Sequence, residues 1–125
     1  MLGPRTYDLE ERLIQFAIRI IDIVESLPST RVGNHIGGQL IACGTSPAAN
    51  YGEAQSAESR NDFVHKIKVV LKELRETRVW LKIIDRKRLI AAVKLVTDAL
   101  TECGELIAIF AKSVETARKN RASDR

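Results

Sequence analysis

Asn50, Tyr51 and Glu53 stand close together in the stretch TSPAANYGEAQSAESRNDF, Thr45 to Phe63. A carboxylate beside an amide and a phenol is raw material for general acid–base catalysis. As a catalytic group, Glu53 needs a partner acid, a metal or a nucleophile within reach. The chain offers no Ser-His-Asp or Cys-His set, and no Glu-x-x-His pair of the kind that builds di-iron sites in helical bundles. The residues favour polar packing, with Asn50 and Glu53 bonded to neighbouring helix termini or to Arg and Lys of the next helix, over ligand contact or catalysis. Asn50 also lies three residues after Pro47, where it can serve backbone groups that the proline leaves unpaired. No enzymatic activity and no cofactor are expected.

The thiols and imidazoles give no stronger lead. Cys43 and Cys103 lie 60 residues apart without a CxxC partner, and His35 and His65 match no metal-ligand spacing. Both cysteines fall on apolar helical faces, which predicts reduced, buried thiols in a cytoplasmic protein rather than a disulfide. The start of the chain, MLGPRTYDLEER, has no apolar h-region, so no secretory signal is expected. No apolar run approaches the ~20 residues that a membrane-spanning helix needs.

Charge is distributed unevenly. The net charge is +4, yet residues 1–59 are acidic in balance and residues 60–88 hold ten Lys and Arg against four Asp and Glu. Lys68, Lys72, Arg75 and Lys82 recur at helical spacing, and Arg86, Lys87 and Arg88 extend the row. It reads either as a solvated face, helped by i,i+4 pairs such as Lys72–Glu76 and Asp62–Lys66, or as a track for a phosphate backbone. Lys68–Lys72 and Arg78–Lys82 are like-charge i,i+4 neighbours, each costing a few tenths of a kcal/mol, and the solvated face is the somewhat favoured of the two readings. Aromatic residues for base stacking are missing, with only Trp80 nearby, which disfavours sequence-specific reading of single strands.

The elements carrying these residues are helical. Only 5% of the chain is aromatic while 45% is hydrophobic, and no stretch alternates with the period of a half-buried strand. A helix is expected over 7–27, a second over 32–57, a third over 60–84 and a fourth over 87–118, followed by a frayed basic tail over 119–125. Together they make one domain over 1–125, an all-α, antiparallel up-and-down four-helix bundle. Leu27-Pro28 ends the first helix. Small residues make the second suited to close approach at the bundle centre, and Pro47 should bend it near Cys43–Gly44. Ser59 and Asp62 form a shortened capping box for the third. Phe63, Ile67, Val70, Leu71, Leu74, Leu81 and Ile84 are its expected core face. Leu89, Val93, Val96, Leu100, Cys103, Ile107, Phe110 and Val114 form a sustained a/d row in the fourth, with Asp85–Arg88 as the connection before it.

The first helix is too apolar for one subunit. Its Ile, Leu, Val, Phe and Ala side chains spread over roughly 220° of the wheel, against the ~100–140° arc that a bundle helix uses. Ile14, Ile18 and Ile21 are the surplus, and with Trp80, off the core arc, they predict self-association.

The run HIGGQLIACGTSPAANYGEAQSAESRNDFVHKIKVVLKELRETRVWLKII resembles the bacterial four-helix-bundle family named for open reading frames in 23S ribosomal RNA intervening sequences. The matching features are Gln39-Leu40, Thr45-Ser46, Asn50-Tyr51-x-Glu53-Ala54, Ser59-x-x-Asp62-Phe63, Lys66, Lys72-Glu73 and Trp80-Leu81. The first helix and the Leu27-Pro28 break also fit, whereas Pro47 departs from the family's usual aliphatic residue. The resemblance implies a small cytoplasmic protein assembling into rings, typically pentamers, with no assigned enzymatic activity. A similar bundle is the accessory protein of diversity-generating retroelements, a basic pentamer that binds nucleic acid and a reverse transcriptase. By that analogy Lys68, Lys72, Arg75 and Lys82 are the contacts to nucleic acid, RNA or DNA. A protein-interaction scaffold without nucleic-acid binding is the alternative. On either reading Asn50, Tyr51, Glu53, Ser59 and Asp62 are structural polar residues, and no membrane partner is expected.

Overall fold

The computed structural model describes residues 4–123, and the side chains of residues 9–120. Four helices run in chain order: α1 (Pro4–Ser26), α2 (Arg31–Gln55), α3 (Arg60–Lys87) and α4 (Val93–Ser123). Short connections make successive helices neighbours, and α4 closes back on α1, so α1 and α3 lie on one diagonal of the bundle and α2 and α4 on the other. The all-α four-helix bundle expected from the sequence is the observed fold.

Local chemistry explains each boundary. α1 begins at Pro4, earlier than expected, because the fixed φ of proline suits a first helical position. It stops before Pro28, and the Leu27 N–H returns to the Val24 carbonyl at 3.1 Å. Thr30 caps α2 by accepting from the Gly33 N–H at 3.0 Å, and Ser59 caps α3 by accepting from the Asp62 N–H at 3.1 Å.

The end of α3 differs from expectation. Asp85-Arg86-Lys87 contains no helix breaker, so α3 continues through it and the connection moves to residues 88–92. Arg88 turns the chain in the left-handed region, φ 56 and ψ 48. Its N–H reaches the Asp85 carbonyl at 3.2 Å, and the Leu89 N–H reaches Ile84 at 3.1 Å, the paired closure of a Schellman turn. Ile90 then tucks into the core from the connection. α4 likewise runs on through residues 119–123, where a frayed tail was expected: nothing there breaks a helix, and Lys119 pairs with Glu115 at 3.1 Å.

The core is built from Leu13, Phe16, Ile20 and Ile23 of α1, Leu40 and Tyr51 of α2, Val70, Leu74, Leu81 and Ile84 of α3, and Val96, Cys103, Leu106 and Phe110 of α4. Leu106 and Ala99 join the a/d row of α4 because that helix packs against both α3 and α1. Val93 is exposed and Leu89 precedes the helix, a correction that follows from the later start of α4.

α2 occupies a corner rather than the centre, and its helix is unbroken through buried Pro47. Two of its glycines are close approaches: a Cβ at Gly44 would meet Ile20 Cγ2 at 2.7 Å, and one at Gly33 would strike the Pro28 carbonyl. Gly38 and Gly52 face open space instead.

Candidate nucleic-acid interface

On α3, positions 68, 72, 75, 79, 82 and 86 recur at steps of 4, 3, 4, 3 and 4, so at ~100° per residue they share one face. That face points away from the bundle: Lys68, Lys72, Arg75, Lys82 and Arg86 are all exposed. Lys87 and Arg88 continue the positive surface around the turn. None of these seven cations has a carboxylate partner among the described residues. The expected Lys72–Glu76 pair is absent, because Glu76 accepts from the indole Nε1 of Trp80 at 3.2 Å. Lys66 turns not to Asp62 but across to Glu53 of α2, at 2.8 Å, and this hydrogen bond raises the Lys66 pKa.

Two apolar residues interrupt the basic row: Val79 and Ile83 are 55% and 39% exposed. Sequence reasoning passed over them, although their helical spacing with Lys72, Arg75 and Arg86 places them on the same face. Phe63 is a further correction. It was expected in the core but is 37% exposed, because it sits at the start of α3. There it lines an open groove of about 600 Å³ with Ala108, Ile109 and Lys112 of α4.

Asn50, Tyr51 and Glu53 take three separate partners. The Asn50 amide donates to the Ser46 carbonyl at 3.0 Å and to its Oγ at 2.7 Å, one turn back on α2, so it does not reach the carbonyl of Cys43 that Pro47 leaves without a helical donor. Tyr51 enters the core edge-on to Phe110, centroids 5.7 Å apart, and burial raises its pKa, with the charge of Glu10 adding to it. Glu53 points outward to Lys66. Polar residues at successive ~100° steps cannot converge without a bend or an inserted partner. Among the described residues, no group of three or more His, Cys, Asp and Glu could hold a metal ion.

The other assigned residues divide between core and surface. Cys43 and Cys103 are free and buried. Cys103 donates to the Leu74 carbonyl at 3.3 Å, and burial pushes its pKa up to about 12. Burial raises that of Cys43 as well. Ile14, Ile18 and Ile21 stand 40%, 45% and 39% exposed along the outward face of α1. Trp80 is half-buried against the core and meets His35 of α2 edge-on at 5.9 Å. Among the described residues, no helix is long and apolar enough to cross a membrane.

Comparisons with known proteins agree with the four-helix fold. No curated protein matches the chain. A crystal structure of a protein of unknown function from the S23 ribosomal protein family, from Bacteroides thetaiotaomicron VPI-5482, superimposes with a TM-score of 0.76 at 28% identity, covering 84% of this chain and 96% of that one. Residues 5–113 match the family model described as 23S rRNA-intervening sequence protein. With nearly the whole bundle inside that match, the chain belongs to the 23S rRNA-intervening sequence protein family.

Proposed function

We propose that the protein is a non-enzymatic, cytoplasmic homo-oligomer, ring-forming and pentameric, that binds RNA or DNA through the basic face of α3. The observation that carries this reading is the row Lys68, Lys72, Arg75, Lys82, Arg86, Lys87 and Arg88, exposed and without carboxylate partners among the described residues. Unpaired cations along a rigid helix repel one another, and a phosphate backbone relieves that repulsion while releasing its own counterions. Assembly multiplies the row by the number of copies. The exposed isoleucines of α1 supply the adhesive surface for it.

A filter-binding titration of structured RNA and of duplex DNA, repeated across salt concentrations, tests the binding half. Retention should fall linearly on a log–log plot with a slope of several units. Retention that is absent, or insensitive to salt, refutes it. The second reading, a protein-interaction scaffold without nucleic-acid binding, draws on Ile14, Ile18 and Ile21. It gains if partners co-purify after nuclease treatment while nucleic acid fails to bind.

A further inference from the structure

Two outward rows of this bundle match each other. On α1 the row is Glu11, Ile14, Ile18, Ile21 and Glu25, and all five are exposed. On α3 it is Lys72, Arg75, Val79, Ile83 and Arg86, also all exposed. Each has an apolar centre and charged ends, acidic on α1 and basic on α3. The ends are equally spaced: Glu11 and Glu25 flank Ile18 by seven residues each way, and Lys72 and Arg86 flank Val79 likewise. At ~1.5 Å per residue both pairs of charges lie roughly 21 Å apart.

The two rows cannot meet within one molecule. α1 and α3 are not neighbouring helices, and they stand on opposite corners of the bundle with their exposed rows facing away from each other. We infer that the α1 row of one copy docks on the α3 row of a second copy, with Ile14, Ile18 and Ile21 against Val79 and Ile83 and with Glu11 and Glu25 against Lys72 and Arg86. The inference rests on the self-association proposed above and assigns its surfaces.

The electrostatic surroundings support this pairing over α1 against α1. Glu10 and Asp22 also border the isoleucines, so a twofold α1–α1 contact would bring acid against acid. Arg12 and Arg19 do not offset this, because they lie on the side of α1 turned to α4, where Arg12 binds Glu102 and Arg19 lies beside Asp98 and Glu105. On α3 the nearby carboxylate of Glu76 is held by Trp80. Each copy carries one row of each kind on opposite edges. The contact is therefore head-to-tail, and successive copies close into a ring when the rotation between them permits. Lys68, Arg75 and Lys82 lie roughly 40–80° around α3 from the midpoint of Val79 and Ile83, at ~100° per residue, so that Arg75 stands at the margin of the docked row. They stay open beside the seam for a polyanion.

Charge reversal tests the pairing. The wild type, Glu11→Lys/Glu25→Lys and Lys72→Glu/Arg86→Glu are compared by light scattering against the chain mass of 14.0 kDa, with circular dichroism as the check on folding. The expected result is an assembled wild type, association weakened at least tenfold in each reversed protein, and assembly restored when the two are mixed in equal amounts. If both reversed proteins stay assembled, the pairing is wrong while self-association stands. Disruption of the α1 variant alone likewise overturns it, because α3 is then not the surface that α1 meets. A wild type of 14.0 kDa at every concentration removes self-association and the pairing with it. Should a reversed protein fail to fold, Ile18→Cys/Val79→Cys decides: oxidation should give a covalent ladder beyond dimers, and monomers only overturn the inference.

Discussion

Arg12 of α1 grips Glu102 of α4 with two donors, Nε at 3.1 Å and Nη2 at 2.6 Å, and the same Nη2 reaches Glu105 at 3.2 Å. This clamp joins the pair of neighbouring helices that pack most sparsely. A forked guanidinium fits a carboxylate through two parallel bonds, which an ammonium cannot reproduce. Arg12→Lys should therefore lower stability by about 1 kcal/mol in urea unfolding, and a double-mutant cycle with Glu102→Gln should show coupling of similar size. Additive single effects would reduce the clamp to a surface contact.

Arg88 makes the opposite kind of contribution. Its left-handed backbone, φ 56, is one that a Cβ disfavours by about 1 kcal/mol and that glycine adopts freely. Its side chain is exposed and makes no ion pair among the described residues. Arg88→Gly should leave the fold unchanged or stabilise it by up to about 1 kcal/mol. A marked fall in the unfolding midpoint would contradict the Schellman closure.

The glycines of α2 should separate into two classes. Gly44→Ala drives a methyl group to 2.7 Å from Ile20 Cγ2, and overpacking of this kind costs about 1–3 kcal/mol. Gly38→Ala meets nothing within 4 Å and should stabilise the helix by about 1 kcal/mol. Equal effects at the two positions would mean that α2 is rotated from the orientation described.

What the sequence made legible follows from what repeats. Cys103, Ile107, Phe110 and Val114 keep an a/d period over several turns, and Ser59 announces a helix start within three residues of Asp62. The features it hid depend on distance or on an absent signal. The partner of Arg12 lies 90 residues away, beyond any local pattern. No glycine or proline marks the end of α3, so the left-handed turn at Arg88 went unseen. Phe63 has the spacing of a core residue, yet the first turn of α3 leaves it beside an open groove. The i,i+4 matches of Lys72 with Glu76 and of Asp62 with Lys66 also misled, because Trp80 takes the Glu76 carboxylate one turn further on and Lys66 reaches across to Glu53.

Cys103 provides a pH-dependent test of the core. An unfolded thiol titrates near its ordinary value of 9.0, whereas burial raises the folded one to about 12. The fold thus favours the neutral form, so this contribution is complete below pH 9.0 and lost as pH climbs towards 12. The slope for one thiol is at most about 1.4 kcal/mol per pH unit. Cys103→Ala should be less stable at neutral pH and show a shallower decline in alkali. At pH 8 the native thiol should resist alkylation until the chain unfolds. Rapid labelling of the folded protein would place Cys103 outside the core.

The basic face yields the prediction closest to function. Lys68→Glu/Arg75→Glu/Lys82→Glu reverses three exposed cations that have no partner to strand among the described residues, so folding should survive. Each phosphate contact contributes about 0.9 to the slope of log affinity against log salt on duplex DNA. Losing three contacts should flatten that slope by roughly 3 for each chain that touches the nucleic acid and weaken binding uniformly across sequences, since phosphate contacts carry no base information. Reversal at Lys94, Lys112 and Lys119 of α4, an equal change in net charge off the α3 face, is the control that separates a located interface from general attraction. If the two triple variants flatten the slope equally, α3 is not the contact surface. If only the α3 variant does, the unpaired row is where the nucleic acid lies.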